Sequence, residues 1–310
     1  MTKPVLLKLH RWITLVFALP LLAVIVTGTI LSFEPMMQFA GIRPQSIDTA
    51  QVIALIKRHD PEGKARGLSI DSAAQRLTLR GGGTASIDLA SGEVSASSAP
   101  LAELFRWARV THEKLLGQSW LVTSSTVAMV VIMSLGLLMG WPRLRNTLSG
   151  WHKGTAWFAL PLILASPLTG LCMAFGLTFQ GGAPPAGGGR PMPLVEAVQV
   201  VARTHDLATV TSIGARGGRI MARIFDGGEL RAYAVTADGT RALPRNWPRL
   251  IHEGNWFAAI GTTLNVITSV ALITLLTTGL WIWAQRRWRR RTRREPDRAG
   301  SGTSVSAAVS

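Results

Sequence analysis

Residues 8–33 read KLHRWITLVFALPLLAVIVTGTILSF, and residues 151–175 read WHKGTAWFALPLILASPLTGLCMAF. Each copy opens with a histidine beside a basic residue, His10-Arg11 and His152-Lys153. Each continues through Phe-Ala-Leu-Pro, at Phe17 to Pro20 and Phe158 to Pro161, and then reaches Thr-Gly at Thr27-Gly28 and Thr169-Gly170. A shared tetrapeptide between two apolar helices is weak by itself. Shared ends on either side of a one-residue shift are stronger, and an internal duplication is expected.

Working outward, charge-free runs decide the class. Trp12–Phe33, Leu115–Pro142, Gly154–Gly189 (apolar to about Thr178) and Gly254–Gln285 carry no charged side chain. Each is long enough for the roughly 20 apolar residues that cross a bilayer, and helix satisfies their backbone there. Only 16% of the 310 residues are charged, against roughly 25% in an average soluble chain. An α-helical membrane protein of four transmembrane helices is expected. Its spans are residues 1–34 with the N-terminus, 111–142, 153–179 and 251–285, separated by outer segments at 35–110 and 180–250. A short loop at 143–152 and a basic tail at 286–310 complete the chain.

The net charge of +16 suggests nucleic acid until its distribution is read. The termini and the loop after the second span hold 14 basic residues, opposed only by Glu295 and Asp297. The two long segments hold 19 basic and 15 acidic residues and are nearly balanced. The positive-inside rule therefore places both termini and the short loop in the cytoplasm and the long segments outside, in a bacterial periplasm, with no nucleic-acid partner. The first run is taken as an anchor of the inner membrane, since no small-x-small cleavage site follows it in SFEPMMQF. Cys172 is the single cysteine and forms no intrachain disulfide.

In the first outer segment, SIDTAQVIALIKRHD has helical spacing, and ARGLSID, QRLTLRG and TASIDLASGEV alternate as antiparallel strands. LAELFRWARVTHEKLLG leads as an amphipathic helix into the second span. The second segment opens on the Gly/Pro linker GGAPPAGGGRP and repeats the plan, with helix PLVEAVQVVARTHD and strands around TVTSIGA, RIMARIF and LRAYAV. Two small α+β lobes are expected. The first segment closes on His112-Glu113 and the second on His252-Glu253.

Four of the six histidines thus occupy matching places: His10 and His152 at the inner face, His112 and His252 at the outer face. A lone histidine at a membrane interface is usually a hydrogen-bonded boundary residue, whereas two per face, matched across a duplication, point to ligands. Zinc and di-iron sites need three or four donors at one point. Two imidazoles on facing helices across an apolar gap suit the iron of a b-type haem, one near each membrane face. No Cys-x-x-Cys-His is present for covalent attachment.

Gly28 and Gly170 lie 18 residues beyond their histidines, and Gly136 and Gly279 end spans two and four. They are expected either to leave room for a macrocycle or to allow close helix packing. Arg11, Lys153 and Arg143 inside, and Arg109, Lys114 and Arg249 outside, are candidates for pairing with propionates or are ordinary interfacial charges. His59 and His205 also match, each as His-Asp at a helix end, and are read as capping or surface residues rather than ligands. The tryptophans mark the interfaces, and the Arg286–Arg294 cluster a lipid-facing anchor. No dinucleotide or Walker loop is present, so electrons entering from inside would come from a membrane quinol or a separate cytoplasmic reductase.

His-Arg-Trp leading to Pro-x6-Thr-Gly, the internal His-Lys copy, the two His-Glu pairs, and Gly-Leu followed by tryptophan at Gly136–Trp141 and Gly279–Trp283 resemble the PepSY-associated transmembrane family. The resemblance covers nearly the whole chain. It implies PepSY-like lobes and includes bacterial inner-membrane haem proteins that reduce ferric siderophores in the periplasm so that iron is released. By that resemblance His10, His152, His112 and His252 match haem-ligand positions. The expected function is a di-haem b metalloreductase passing electrons to a periplasmic ferric chelate. The rival readings are a haem-free anchored binding module and a general haem relay to another oxidoreductase. Planes through His10 and His112 are expected to lie roughly 30 Å apart. Bridging that gap calls for deeper histidines, tilted helices or a relay through Phe17, Phe158 or Trp157.

Overall fold

The computed structural model describes residues 2–81, 85–95, 100–141, 145–180 and 192–292. Arg143, the Gly/Pro linker and the end of the basic tail lie outside them. The first apolar run folds as one helix, α1 (Lys3–Ser32), with a proline in its first turn, where no amide hydrogen is required. Pro20 lies inside α1 without ending it. A short α2 (Glu34–Ala40) follows, then α3 (Thr49–His59), where the Asp48 carboxylate accepts from the amides of Ala50 and Gln51 as an N-cap. Strands β1 (Gly67–Asp71), β2 (Arg76–Arg80) and β3 (Ala85–Asp88) precede α4 (Pro100–Glu113) and α5 (Ser119–Leu138).

The second copy gives α6 (Leu148–Phe158) and α7 (Leu160–Ala174), then α8 (Leu194–Ala202) and four strands, β4 (Val210–Arg216), β5 (Arg219–Asp226), β6 (Glu229–Thr236) and β7 (Gly239–Ala242). The chain closes with α9 (Trp247–Glu253) and α10 (Ala258–Thr292). Among the described residues three helices are long and apolar enough to cross a membrane, at Lys3–Ala40, Ser119–Leu138 and Ala259–Arg289. The expected span at 153–179 is two helices, α6 and α7, bent by 64°, and counts as a fourth only if the bent pair is one span. Pro161 lacks an amide hydrogen and its ring crowds the carbonyl four residues earlier, which favours a break there.

The strands of the two outer segments do not form separate sheets. They make one antiparallel sheet in the order β3-β2-β1-β4-β5-β6-β7. The joint is β1 against β4, where Gly67 faces Gly214, Leu68 faces Ile213 and Ser69 faces Ser212. The strands approach closely at the glycines: a Cβ on Gly67 would stand 2.9 Å from the Ile213 carbonyl oxygen. Strand β7, which adds an edge, was not expected.

Alternation along the strands sets the two faces of this sheet. Leu68, Ile70, Leu77, Leu79, Ile87, Ile213, Ala222 and Ile224 turn to one side and are buried with Val52 and Ile56 of α3 and Val198 and Val201 of α8. Burying each such branched side chain stabilises the layer by about 1.5–3 kcal/mol. The other face carries Arg80, Arg216, Arg219 and Arg223 and turns towards the helical bundle. There Phe39 of α2 meets Phe225 of β5 with ring centres 6.0 Å apart, and the Leu230 amide donates to the Asn255 carbonyl at 3.0 Å.

Candidate functional site

His112 and His252 do not begin membrane spans, contrary to the expected boundaries at 111 and 251. Each ends a short helix, after which the chain turns before the span starts. In the first copy Leu116 and Gly117 take positive φ values of 52° and 78°, and α5 begins at Ser119. In the second copy Gly254 is the left-handed C-terminal residue of α9, with φ of 72°. The Asn265 side chain donates to the His252 carbonyl at 3.0 Å and fixes this corner to α10. Hydropathy runs on unbroken through both turns. Only Gly117 and Gly254 signal them in the sequence.

The turns let both rings reach back onto the opposite helix of their own copy. His112 Nδ1 donates to the Val24 carbonyl at 3.0 Å and stands 3.1 Å from Thr27 Oγ1. His252 Nδ1 donates to the Ser166 carbonyl at 3.0 Å and stands 3.3 Å from Thr169 Oγ1. Both threonine hydroxyls donate to carbonyls of their own helix, Ala23 and Ala165, each at 2.7 Å. Their lone pairs therefore face the imidazoles. A carbonyl has no proton to give, so Nδ1 is the N–H in both rings, and Nε2 keeps the lone pair that a metal requires.

The same logic holds at the other end. His10 Nδ1 donates to the Ile132 carbonyl at 3.0 Å. His152 Nδ1 meets Thr278 Oγ1 at 2.8 Å, and that hydroxyl donates to carbonyls of its own helix. His10 is an electrostatic neighbour of His152. Among the described residues none of the four Nε2 atoms has a hydrogen-bond partner.

The four glycines take part directly. The histidine Cε1 atoms lie 3.0 Å from where a Cβ of Gly28 or Gly170 would stand, 3.3 Å from that of Gly279 and 3.9 Å from that of Gly136. An imidazole from the partner helix lies over each of these glycines.

His112 and His252 come together across the two copies, ring centres 6.0 Å apart and planes inclined by 44°. Two metal–nitrogen bonds of about 2 Å, plus roughly 1 Å from each nitrogen to its ring centre, give about the same separation. No three histidine, cysteine or carboxylate side chains converge among the described residues. Two neighbouring imidazoles with Nδ1 already held could hold the iron of a b-type haem and do not fit a tetrahedral zinc or di-iron centre.

The two levels are closer than the sequence implied. His112 bonds at residue 24 of α1, so its level lies about 14 residues, or roughly 21 Å, along the helix from His10. Leu21, Ile25, Met129, Ile163, Leu272 and Leu276 pack the interval, with Phe17 against them. Phe158 is 96% exposed and points away from this core, so it is no relay between the levels. Trp157 rests on Trp141 with ring centres 4.8 Å apart.

Above the outer pair lies a charged network. Arg109 pairs with Glu34, while Glu253 accepts from Arg223 at 3.3 Å, Arg249 at 3.2 Å and Asn255 at 2.8 Å. Arg109 and Arg249 thus already have carboxylate partners. Arg11, Lys153 and Lys114 have none among the described residues. His59 and His205 stand apart, tying α3 and the end of α8 to the two sheet edges through the Gly92 carbonyl at 2.9 Å and Thr240 Oγ1 at 3.1 Å. His205 also lies edge-on to Tyr233, whose hydroxyl burial and a bond to Asp226 push up to about 12.

These features belong to a membrane protein in which a helical bundle carries an antiparallel sheet. The chain belongs to the PepSY-associated TM region family, which matches residues 7–286. No curated protein matches it.

Proposed function

We propose that this chain is a four-span inner-membrane di-haem b reductase passing electrons outward to a ferric chelate, in which His112 and His252 would hold the outer haem and His10 and His152 the inner one. In this reading α6 and α7 form one bent span, both termini lie in the cytoplasm, and the sheet lies in the periplasm, as the positive-inside rule requires. The observation that carries it is the 6.0 Å approach of His112 and His252 with both Nδ1 atoms held by backbone carbonyls. A haem held there supplies a one-electron couple.

The chain's own residues do the rest. Val24 and Thr27 on one side, and Ser166 and Thr169 on the other, fix the tautomer and orientation of the ligating rings. The apolar side chains between the two levels keep water out of the interval. One electron per ferric ion is required, supplied from the cytoplasmic side by a membrane quinol or a separate reductase. Release follows because ferrous iron is held less tightly than ferric iron by hard oxygen donors.

One observation favours a rival. Three of the four histidines, all but His10, seat in a glycine notch at close contact, as a purely structural wedge would, which would leave a haem-free anchored binding module. The absorption spectrum of the detergent-purified protein separates the two. The expected result is a Soret band with sharp α and β bands on reduction, and loss of about half the haem per chain in His112→Ala and in His252→Ala. A folded, colourless protein overturns the redox reading. Faster reoxidation by ferric chelates than by other oxidants of similar potential separates a metalloreductase from a general relay.

A further inference from the structure

Between the bundle-facing side of the sheet and the stretch leading into α9 lies a cleft of about 680 Å³. Among the described residues its lining holds eight arginines and two glutamates, with no lysine and no aspartate. That volume falls within the roughly 300–1,000 Å³ of small-molecule sites. Arg80, Arg216, Arg219 and Arg223 come from the same face of β2, β4 and β5, and Arg249 from α9. Both glutamates are already matched, Glu229 by Arg245 at 2.9 Å and Glu253 by Arg223 and Arg249. Arg80 and Arg216 have no acidic partner among the described residues.

The register adds a second observation. Arg216 and Arg219 stand directly opposite each other across the Gly217-Gly218 turn. Side by side, their two guanidinium groups present a doubled positive charge at one end of the cleft. The cleft also reaches the end of α9 that carries His252, because Arg249, Leu250 and Glu253 of that helix lie in its lining. A guanidinium fork matches a carboxylate in a bidentate way, and several forks in one cleft select a ligand with several carboxylates.

We propose that this cleft docks a net-anionic, polycarboxylate ferric chelate above the His112–His252 pair and rejects cationic chelates. The inference rests on the reductase reading for the ferric ion in the ligand, and on the arginines alone for its charge.

The test uses the full-length, haem-loaded protein in neutral-lipid nanodiscs and measures equilibrium binding of gallium(III) citrate, whose metal stands in for ferric iron without accepting an electron. Gallium citrate is expected to bind at least ~10-fold more tightly than a cationic gallium trihydroxamate, and to weaken several-fold between about 50 and 500 mM salt. The double variant Arg216→Gln/Arg219→Gln should lose ~10-fold in affinity, and Arg80→Gln several-fold. Arg216→Lys/Arg219→Lys should retain part of the binding, and Lys57→Gln on α3, across the sheet, should change nothing. An unchanged thermal midpoint shows that each variant is folded.

Equal or tighter binding of the cationic chelate, wild-type affinity in the glutamine variants, or full displacement of gallium citrate by equimolar inorganic phosphate each overturns the proposal. The two readings fail separately. A colourless protein that still binds gallium citrate sinks the haem and keeps the cleft, whereas a haem-loaded protein that does not bind sinks the cleft alone.

Discussion

The two copies of the His to Thr-Gly stretch agree at one end and part at the other. At the sheet end, His112 on Val24 and Thr27 is repeated by His252 on Ser166 and Thr169, and the histidine-to-glycine approach is 3.0 Å in both. At the opposite end His10 and His152 each meet a carbonyl four residues before the facing glycine, Ile132 and Leu275, but only His152 also meets a hydroxyl, that of Thr278, and the glycine approaches differ, 3.9 Å against 3.3 Å. The helices differ in the same place. Phe-Ala-Leu-Pro leaves α1 straight through Pro20 and bends α6 against α7 by 64° at Pro161. The outer end is held to one geometry by matched hydrogen bonds. The inner end keeps the matched carbonyls but not the matched hydroxyl, and α6, which carries His152, is bent against α7 near a proline whose counterpart is tolerated in α1.

That contrast can be broken or sharpened by substitution. The largest effect is expected from Gly28→Ala and Gly170→Ala, where the new methyl meets the imidazole at 3.0 Å. Overpacking of this kind costs about 1–3 kcal/mol, so on the proposed di-haem reading occupancy of the outer site should fall roughly ten-fold or more. Haem-to-protein ratios in the two variants should match, and a difference between them would refute the symmetry of the outer site.

Pro161→Ala comes next. It restores an amide donor in the second copy and should straighten α6 on α7, and on the same proposed reading it would shift the redox potential of a haem held by His10 and His152 while leaving the other in place. A redox titration that resolves both would show the opposite if the bend were set elsewhere. Thr27→Val and Thr169→Val each remove one of two acceptors at Nδ1 and should weaken the outer site by about 1 kcal/mol, several-fold in haem affinity. The smallest effect belongs to Gly136→Ala, where the methyl would sit 3.9 Å from His10, an ordinary contact, and haem content should stay at the wild-type level.

What the sequence could show was periodic or repeated. Charge-free runs marked the helices of the bundle, alternation marked β1 to β6, and the repeat singled out the four histidines from six. Local signals were weaker where they competed with hydropathy. The apolar run from Leu115 hides the turn at Leu116-Gly117, so His112 reads as the start of a span when it ends a separate helix. The four-residue edge strand β7 is too short to show a period. The arginines of the cleft are scattered from Arg80 to Arg249, and nothing in their order along the chain marks them as neighbours.

The sequence by itself determined the membrane class, the family, the polarity of the charges along the chain and which histidines correspond. Those properties depend on composition and local pattern, which each segment carries alone. The tertiary structure decided that the two outer segments share one sheet through Gly67 and Gly214, that His112 meets His252, and that both lean on threonines of the other helix of their copy. Each of these is a contact between residues more than 80 positions apart. Such pairings are selected by the packing of whole elements against one another, a quantity that no single stretch of the chain contains.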